Sequence, residues 1–296
     1  MAEHNEEIKR KKQELAQLKN GLHPAMDPAE WIEHKKKAHV ELLQLKSERH
    51  AAGGSETGAL PDFVVIGAAK SGTTFFYHLL SRHPHVQPAV VKEPHYFNRL
   101  FEQGTEWYRG CFPKPRWEDG RMTITGEASP GYIWHPLAPE RMAEVIPQAR
   151  LIALLRNPVD RAYSDYHQRK KNGHAAQTFE QVAKAAFKDP LHPAPSELAM
   201  SIYVDHLLHW STFFSKEQIL VLKSEDLFER PVETLKLVLA FLNLPDWEPE
   251  ASELGDRRNA GNYGQGMDPA IRQRLEEYFE PHNKRLYNYL GVDFGW

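Results

Sequence analysis

Three unbroken apolar runs stand out along the chain: Phe63-Val64-Val65-Ile66, Leu151-Ile152-Ala153-Leu154-Leu155 and Ile219-Leu220-Val221-Leu222. A strand with one wet face alternates apolar and polar positions. Runs without alternation, rich in Leu and β-branched residues, suit strands covered by helices on both faces. Stretches of helical period lie between them. Asp268-Pro269 has the form of an N-cap followed by a first-turn proline, and Ile271, Leu275, Tyr278 and Leu286 give the helix that follows a buried face. The pattern predicts an α/β fold of three layers, with a central, mostly parallel sheet.

The first 50 residues follow another pattern. Ile8, Leu15, Leu18 and Leu22 make a narrow apolar stripe at helical spacing, and Trp31, Ala38, Leu42 and Leu45 repeat it after a break at His23-Pro24 and Asp27-Pro28. Two helices joined by a proline turn are expected, packing on each other, on the main domain or on a second copy of the chain. The small residues of Ala51 to Leu60 read as a linker. The expected division is a helical extension over 1–50, a linker over 51–60 and one domain over 61–296.

Composition narrows the function classes. Of 296 residues, 41% are hydrophobic and 26% charged, the balance of an ordinary folded protein. Lys and Arg number 37 against 40 Asp and Glu, so the net charge of −3 argues against a nucleic-acid partner held by bulk charge. The single cysteine, Cys111, allows neither an intrachain disulfide nor a Cys-rich zinc site. The 16 histidines show no convincing metal spacing; His206 and His209, beside Trp210 and two leucines, read as helix-face residues. No apolar run approaches the roughly 18 residues that span a bilayer, and the charged N-terminus lacks the apolar core of a signal peptide. These features predict a cytoplasmic protein without a membrane partner.

The chemistry starts where the first run ends, in Gly67-Ala68-Ala69-Lys70-Ser71-Gly72-Thr73-Thr74. A strand, a glycine-bearing turn and a helix start form an anion cradle, because free backbone N–H groups and the helix dipole converge there. Lys70 adds a point charge, and Ser71, Thr73 and Thr74 add hydroxyl donors around Gly72. This makes the fold P-loop-like. It is not a Walker A loop, which would place lysine directly after the second glycine, where the chain has Thr73. Nor does a strand end in the carboxylate that would hold magnesium: the second run ends in Arg156-Asn157. Asn157 can N-cap the next helix and Pro158 can start it, leaving Ser164 two turns in and able to face the same pocket.

The two segments together resemble the sulfotransferases that use 3′-phosphoadenosine 5′-phosphosulfate (PAPS). The resemblance rests on Phe63 to Thr74 and on Leu151 to Tyr166, whose motif is Leu155-Arg156-Asn157-Pro158-Val159-Asp160-Arg161-Ala162-Tyr163-Ser164-Asp165-Tyr166, and extends over roughly Asp62 to Trp296. It implies that the first segment (Lys70, Ser71, Gly72, Thr73, Thr74) binds the 5′-phosphosulfate and that Arg156 and Ser164 hold the 3′-phosphate. Lys92-Glu93-Pro94-His95-Tyr96-Phe97 and Gly126-Glu127-Ala128-Ser129-Pro130-Gly131-Tyr132 are similar to segments of the heparan sulfate branch, as is Ser201-Ile202-Tyr203 with His209-Trp210. This likeness assigns the general base to Glu93, with His95 as helper or substitute. Sulfuryl transfer builds negative charge on the departing phosphate, which Lys70 is placed to stabilise, so PAPS is the expected donor and no metal is required.

Three departures bear on the acceptor. Ala128 stands where the heparan-type segment has lysine, residues 244–267 lack the family's cysteine pair, and no membrane anchor is expected. They point from a secreted polysaccharide toward a cytosolic small-molecule or saccharide acceptor with a hydroxyl or an amine. Trp107, Tyr108, Tyr132, Trp134 and Tyr203 can line its pocket, although such aromatics more often belong to the core, and the 257–263 loop is expected to close over the adenosine. Two other readings compete: an ATP-dependent kinase, and a non-catalytic scaffold working through the N-terminal helices.

Overall fold

Neighbouring residues of the first apolar run face opposite ways. The computed structural model describes residues 2–19, 37–38, 41, 45, 58–188, 196–254 and 266–296. In it β1 (Phe63–Gly67) is buried throughout; Val64 and Ile66 enter one apolar cluster, Phe63 and Val65 another. The sheet therefore has a core on each face, as a strand covered on both sides requires. Its order is β2 (Val86–Pro88), β5 (Ile124–Ala128), β1, β6 (Arg150–Leu155), β7 (Ile219–Lys223), all parallel, while β3 (Trp117–Glu118) and β4 (Arg121–Met122) form a separate hairpin. The three expected strands are β1, β6 and β7. Two more, β2 and β5, extend the sheet on the other side of β1.

One face is covered by α2 (Thr73–Leu80), α6 (Ser224–Glu229) and α7 (Pro231–Phe241), through Phe75, Phe76, Leu80, Leu227, Leu235 and Val238. The other holds Tyr96, Phe97, Tyr108 and Tyr132, with Leu207 and Trp210 of α5 (Tyr203–Trp210) and Leu286 of α8 (Pro269–Leu290). A third cluster joins α8 to α3 (Pro158–Lys171) and α4 (Phe179–Lys188) through Leu275, Phe279, Val159, Ala162 and Phe179. The Asp268 carboxylate caps α8 by accepting from the Ala270 N–H at 2.7 Å. Its buried face differs from expectation at one turn: Phe279 is fully buried and Tyr278 only half-buried, because α8 turns Phe279 toward the third cluster.

Of the N-terminal extension, α1 (Ala2–Lys19) is a helix, and Ile8 packs on Ala38 and Leu45 while Lys11 pairs with Glu14 at 2.9 Å and with Glu41. Among the three packing partners expected for these helices, the described residues use the first, each other. The side chains of Leu15, Leu18 and Leu22, the proline break, Trp31, Leu42 and most of the linker lie outside the described residues.

Glycine is demanded at Gly126 of β5, the direct neighbour of Phe63 on β1. A Cβ there would stand 2.5–2.6 Å from three atoms of the Phe63 ring, which is itself fully buried. Gly126→Ala is expected to destabilise the fold by about 1–3 kcal/mol, since a packed ring cannot retreat without straining its neighbours. Denaturant unfolding of the variant checks this, and an unchanged midpoint would contradict the packing.

Candidate active site

The expected site residues follow the C-terminal ends of neighbouring parallel strands, where open α/β sheets hold ligands. Gly67 to Thr74 follows β1, Arg156 follows β6, and Lys92 to His95 follows β2. The chain visits β2 and β5 on one side of β1 before crossing to β6 and β7, so the strand order reverses beside the glycine loop.

In that loop Lys70 (φ 76°) and Gly72 (φ 84°) adopt left-handed backbone conformations. Gly72 is needed twice over: a Cβ would also stand 2.8 Å from the Phe228 ring. The loop is braced from behind, with Ser224 Oγ donating to the Ser71 carbonyl at 2.9 Å and Arg156 Nη1 to the Lys70 carbonyl at 3.3 Å. The Ser71 side chain is fully buried, and its Oγ has no hydrogen-bond partner among the described residues. Thr73 is buried in the first turn of α2, and Thr74 accepts from Lys92 Nζ at 3.4 Å. A left-handed loop over a helix start, with an unspent hydroxyl inside, has the features of an anion cradle.

Around it the charges are positive. Lys70 Nζ donates to Gln168 Oε1 at 3.4 Å. Burial pushes the Lys70 ammonium below the ordinary lysine range; Asp165 opposes this, and Arg156, Arg161 and Lys171 push it further down. Cations drawn together against their own repulsion make a receptor for an anion. Asn157 caps α3, accepting from the Val159 N–H at 3.0 Å, and its own N–H donates to Glu225 at 2.9 Å. Arg156 is thus fixed from three directions, since Tyr203 Oη also donates to its carbonyl at 2.9 Å. Asp160 pairs with Arg272 of α8. Ser164 is buried on α3, two turns beyond Asn157. Arg161, fully buried, donates to Ser201 Oγ at 2.6 Å and stands 3.6 Å from Asp165.

On the other side of β1, Glu93 (φ 53°) and His95 (φ 55°) both hold left-handed conformations, unusual for residues with side chains. His95 Nε2 is 3.6 Å and Lys92 Nζ 3.5 Å from the Glu93 carboxylate. Burial pushes the Glu93 carboxyl up, but His95 and Lys92 outweigh it and the net shift is downward, so Glu93 is ionised at neutral pH. An ionised carboxylate is the form a proton acceptor needs.

The sequence reading passed over Glu127 as a site residue, although it sits at the end of β5, fully buried. Tyr108 Oη and Tyr132 Oη donate to its Oε1 at 2.7 and 2.9 Å, and Ser129 Oγ to its Oε2 at 2.6 Å. Burial first, then the negative Glu93, push its carboxyl up, the three hydroxyls resist, and the result is about 7. Of the aromatics weighed as pocket lining or as core, Tyr108, Tyr132 and Tyr203 are core residues, with hydroxyls that brace Glu127 and Arg156, and Trp107 and Trp134 are half-buried. Ser224, Glu225 and Gln168 were also unforeseen, as lone polar residues carry no motif. The 257–263 loop lies outside the described residues.

A sulfotransferase domain profile matches residues 60–255, more than half of the chain. The chain belongs to the sulfotransferase family. This sulfotransferase is 31% identical over 265 residues to human heparan sulfate glucosamine 3-O-sulfotransferase 6, covering 83% of this chain and 76% of that protein. Its fold matches a sulfotransferase from Alicyclobacillus acidocaldarius with a TM-score of 0.61 at 27% identity, covering 80% of this chain and 98% of that one. The kinase and scaffold readings give way to an enzyme of the heparan sulfate type. The expectation of a cytoplasmic protein is corrected too: relatives of this sulfotransferase include a membrane-associated sulfotransferase of Dictyostelium discoideum, 28% identical and matched over 80% of this chain and 66% of that protein. No described helix is long and apolar enough to cross a membrane, which does not assign a compartment. The argument for a cytosolic acceptor rested partly on that expectation and falls with it.

Proposed function

We propose that this sulfotransferase moves a sulfuryl group from PAPS to a hydroxyl of a carbohydrate acceptor, without a metal, in the domain formed by residues 61–296. The glycine loop holds the 5′-phosphosulfate through Lys70, Ser71, Gly72, Thr73 and Thr74, and Arg156 with Ser164 holds the 3′-phosphate. Glu93 takes the proton of the acceptor hydroxyl as its oxygen bonds to sulfur. The bond from sulfur to the bridging phosphate oxygen breaks in line with it, and Lys70 stabilises the charge left there. His95 orients Glu93. A carbohydrate acceptor is favoured by the 3-O-sulfotransferase relative; Ala128, 4% exposed and part of the apolar core, brings no cation to it.

The observation that carries this reading is the pairing of two basic positions on adjacent strand ends, joined where Arg156 Nη1 reaches the Lys70 carbonyl at 3.3 Å. A triphosphate needs one such position; a nucleotide bearing both 5′- and 3′-phosphates needs two. The test is thermal denaturation with adenosine 3′,5′-bisphosphate, compared with ADP and with ATP plus magnesium. A ligand at 100 times its dissociation constant stabilises the native state by about 2.7 kcal/mol, which raises the midpoint by several degrees. The bisphosphate is expected to give that rise and the others much less. A rise with ATP and magnesium alone would overturn the donor assignment, as would no rise with any of the three.

A further inference from the structure

The buried carboxylate at the end of β5 has no place in the mechanism above, yet it lies directly behind the residues that carry the base. Ser129 links the two: its Oγ donates to Glu127 Oε2 at 2.6 Å and accepts from the backbone N–H of His95 at 3.2 Å. His95 stands in a left-handed conformation, as does Glu93 two residues before it. Such a turn persists only where its surroundings over-determine it. Pro94, buried between them, removes one backbone donor from this turn, and the His95 N–H is the donor that Ser129 takes. We infer that Glu127 is a positioning residue for the reaction: through Ser129 it anchors the left-handed Glu93–His95 turn and so aims the Glu93 carboxylate.

The surroundings of Glu127 fit that task better than a simple core role. A carboxylate in an apolar core is costly to keep, and a well-packed apolar side chain of similar volume would be cheaper if only packing mattered. Here three hydroxyls are spent on it. Tyr108 and Tyr132 fix Oε1 from two separate segments of the chain, leaving Oε2 to face Ser129. Both phenol rings are fully buried and packed against Phe97, which follows the same turn. Burial raises the Glu127 carboxyl to about 7, and the negative charge of Glu93 adds to that rise in a smaller measure.

This inference rests on the assignment of Glu93 as base, and a kinetic cycle separates the two. Ser129→Ala, Glu127→Gln, Glu93→Gln and the pairwise combinations are compared in steady-state assays with PAPS and a glucosamine-containing oligosaccharide. Ser129→Ala removes a single hydroxyl and leaves Glu127 both phenol donors, so it serves where Glu127→Gln fails to fold. The expected result is a kcat lower by about tenfold or more in each folded single variant, the scale of a misaimed catalytic group. The KM for PAPS should stay within about twofold, because the glycine loop is untouched. In the Glu93→Gln background neither change should slow the enzyme further, since there is no base left to aim. A folded Ser129→Ala variant with wild-type kcat overturns the inference while leaving Glu93 as base. Equal rate losses with and without Glu93 overturn it as well. A wild-type rate in Glu93→Gln itself overturns the underlying assignment instead.

Discussion

Lys70→Ala is expected to lower kcat by two to three orders of magnitude without unfolding the protein. In the proposed reaction its ammonium meets charge that appears only as the sulfur–oxygen bond breaks, so its contribution falls on the transition state more than on binding. Removing one preorganised donor to such a charge costs about 10²–10³ in rate. Stability should move the other way. Lys70 binds its proton less tightly in the fold than in the unfolded chain, because of burial and of Arg156, Arg161 and Lys171, with only Asp165 opposing. A lysine whose folded pKa is depressed costs stability while it is charged, at neutral pH; the cost fades as pH rises through the depressed folded value and is gone above the ordinary lysine value. The ligand-free variant should therefore melt at the wild-type temperature or slightly above, and only wild-type should lose this stability deficit at high pH. A variant that melts several degrees lower would mean that Lys70 holds the loop together, and the rate loss would then need another explanation.

Glu93→Gln should cost kcat about 10²–10⁴, the range for a positioned general base. Gln keeps the shape and one acceptor oxygen but cannot take the proton. Since the Glu93 carboxyl is held below the usual range once His95 and Lys92 outweigh burial, it is a modest base that is fully ionised at working pH. Its strength comes from placement more than from proton affinity. The substitution should leave binding of adenosine 3′,5′-bisphosphate unchanged, because the Glu93 turn lies across β1 from Arg156. Single-turnover assays and thermal shifts on the same preparation check both halves. A variant that kept the full rate would move the role of base to His95.

Much of this architecture was legible in the chain because parts of it are written locally. Strands β1 and β6 are buried on both faces and edge strand β7 is half-buried, and all three appear as unbroken apolar runs. The glycine loop and the Asn157-Pro158 helix start are consecutive residues whose backbone demands are specific. The other half of the sheet is written less plainly. β5 reads Ile-Thr-Gly-Glu-Ala, with glycine admitting the Phe63 ring and glutamate satisfied by three hydroxyls, so no apolar run marks it. β2 is three residues long and ends in proline. Glu127 shows the limit most clearly: its donors come from positions 108, 129 and 132, and only folding brings the first of them to it. Tyr278 was misjudged for a different reason. A helix face wide enough for two neighbouring aromatics leaves to tertiary packing which of them turns inward.

The strand order also divides the labour of the cleft. Everything proposed to grip the donor follows β1 and β6, braced from the residues after β7, and everything proposed to handle the acceptor's proton hangs on β2 and β5. Each half has its own bracing, Ser224, Glu225 and Tyr203 on one flank and Ser129, Tyr108 and Tyr132 on the other. Apart from Lys92, whose ammonium reaches Thr74 Oγ1 at 3.4 Å, substitutions on the proposed acceptor flank should leave the proposed nucleotide grip undisturbed. Such a scaffold lets descendants exchange one acceptor for another while inheriting the same donor chemistry intact.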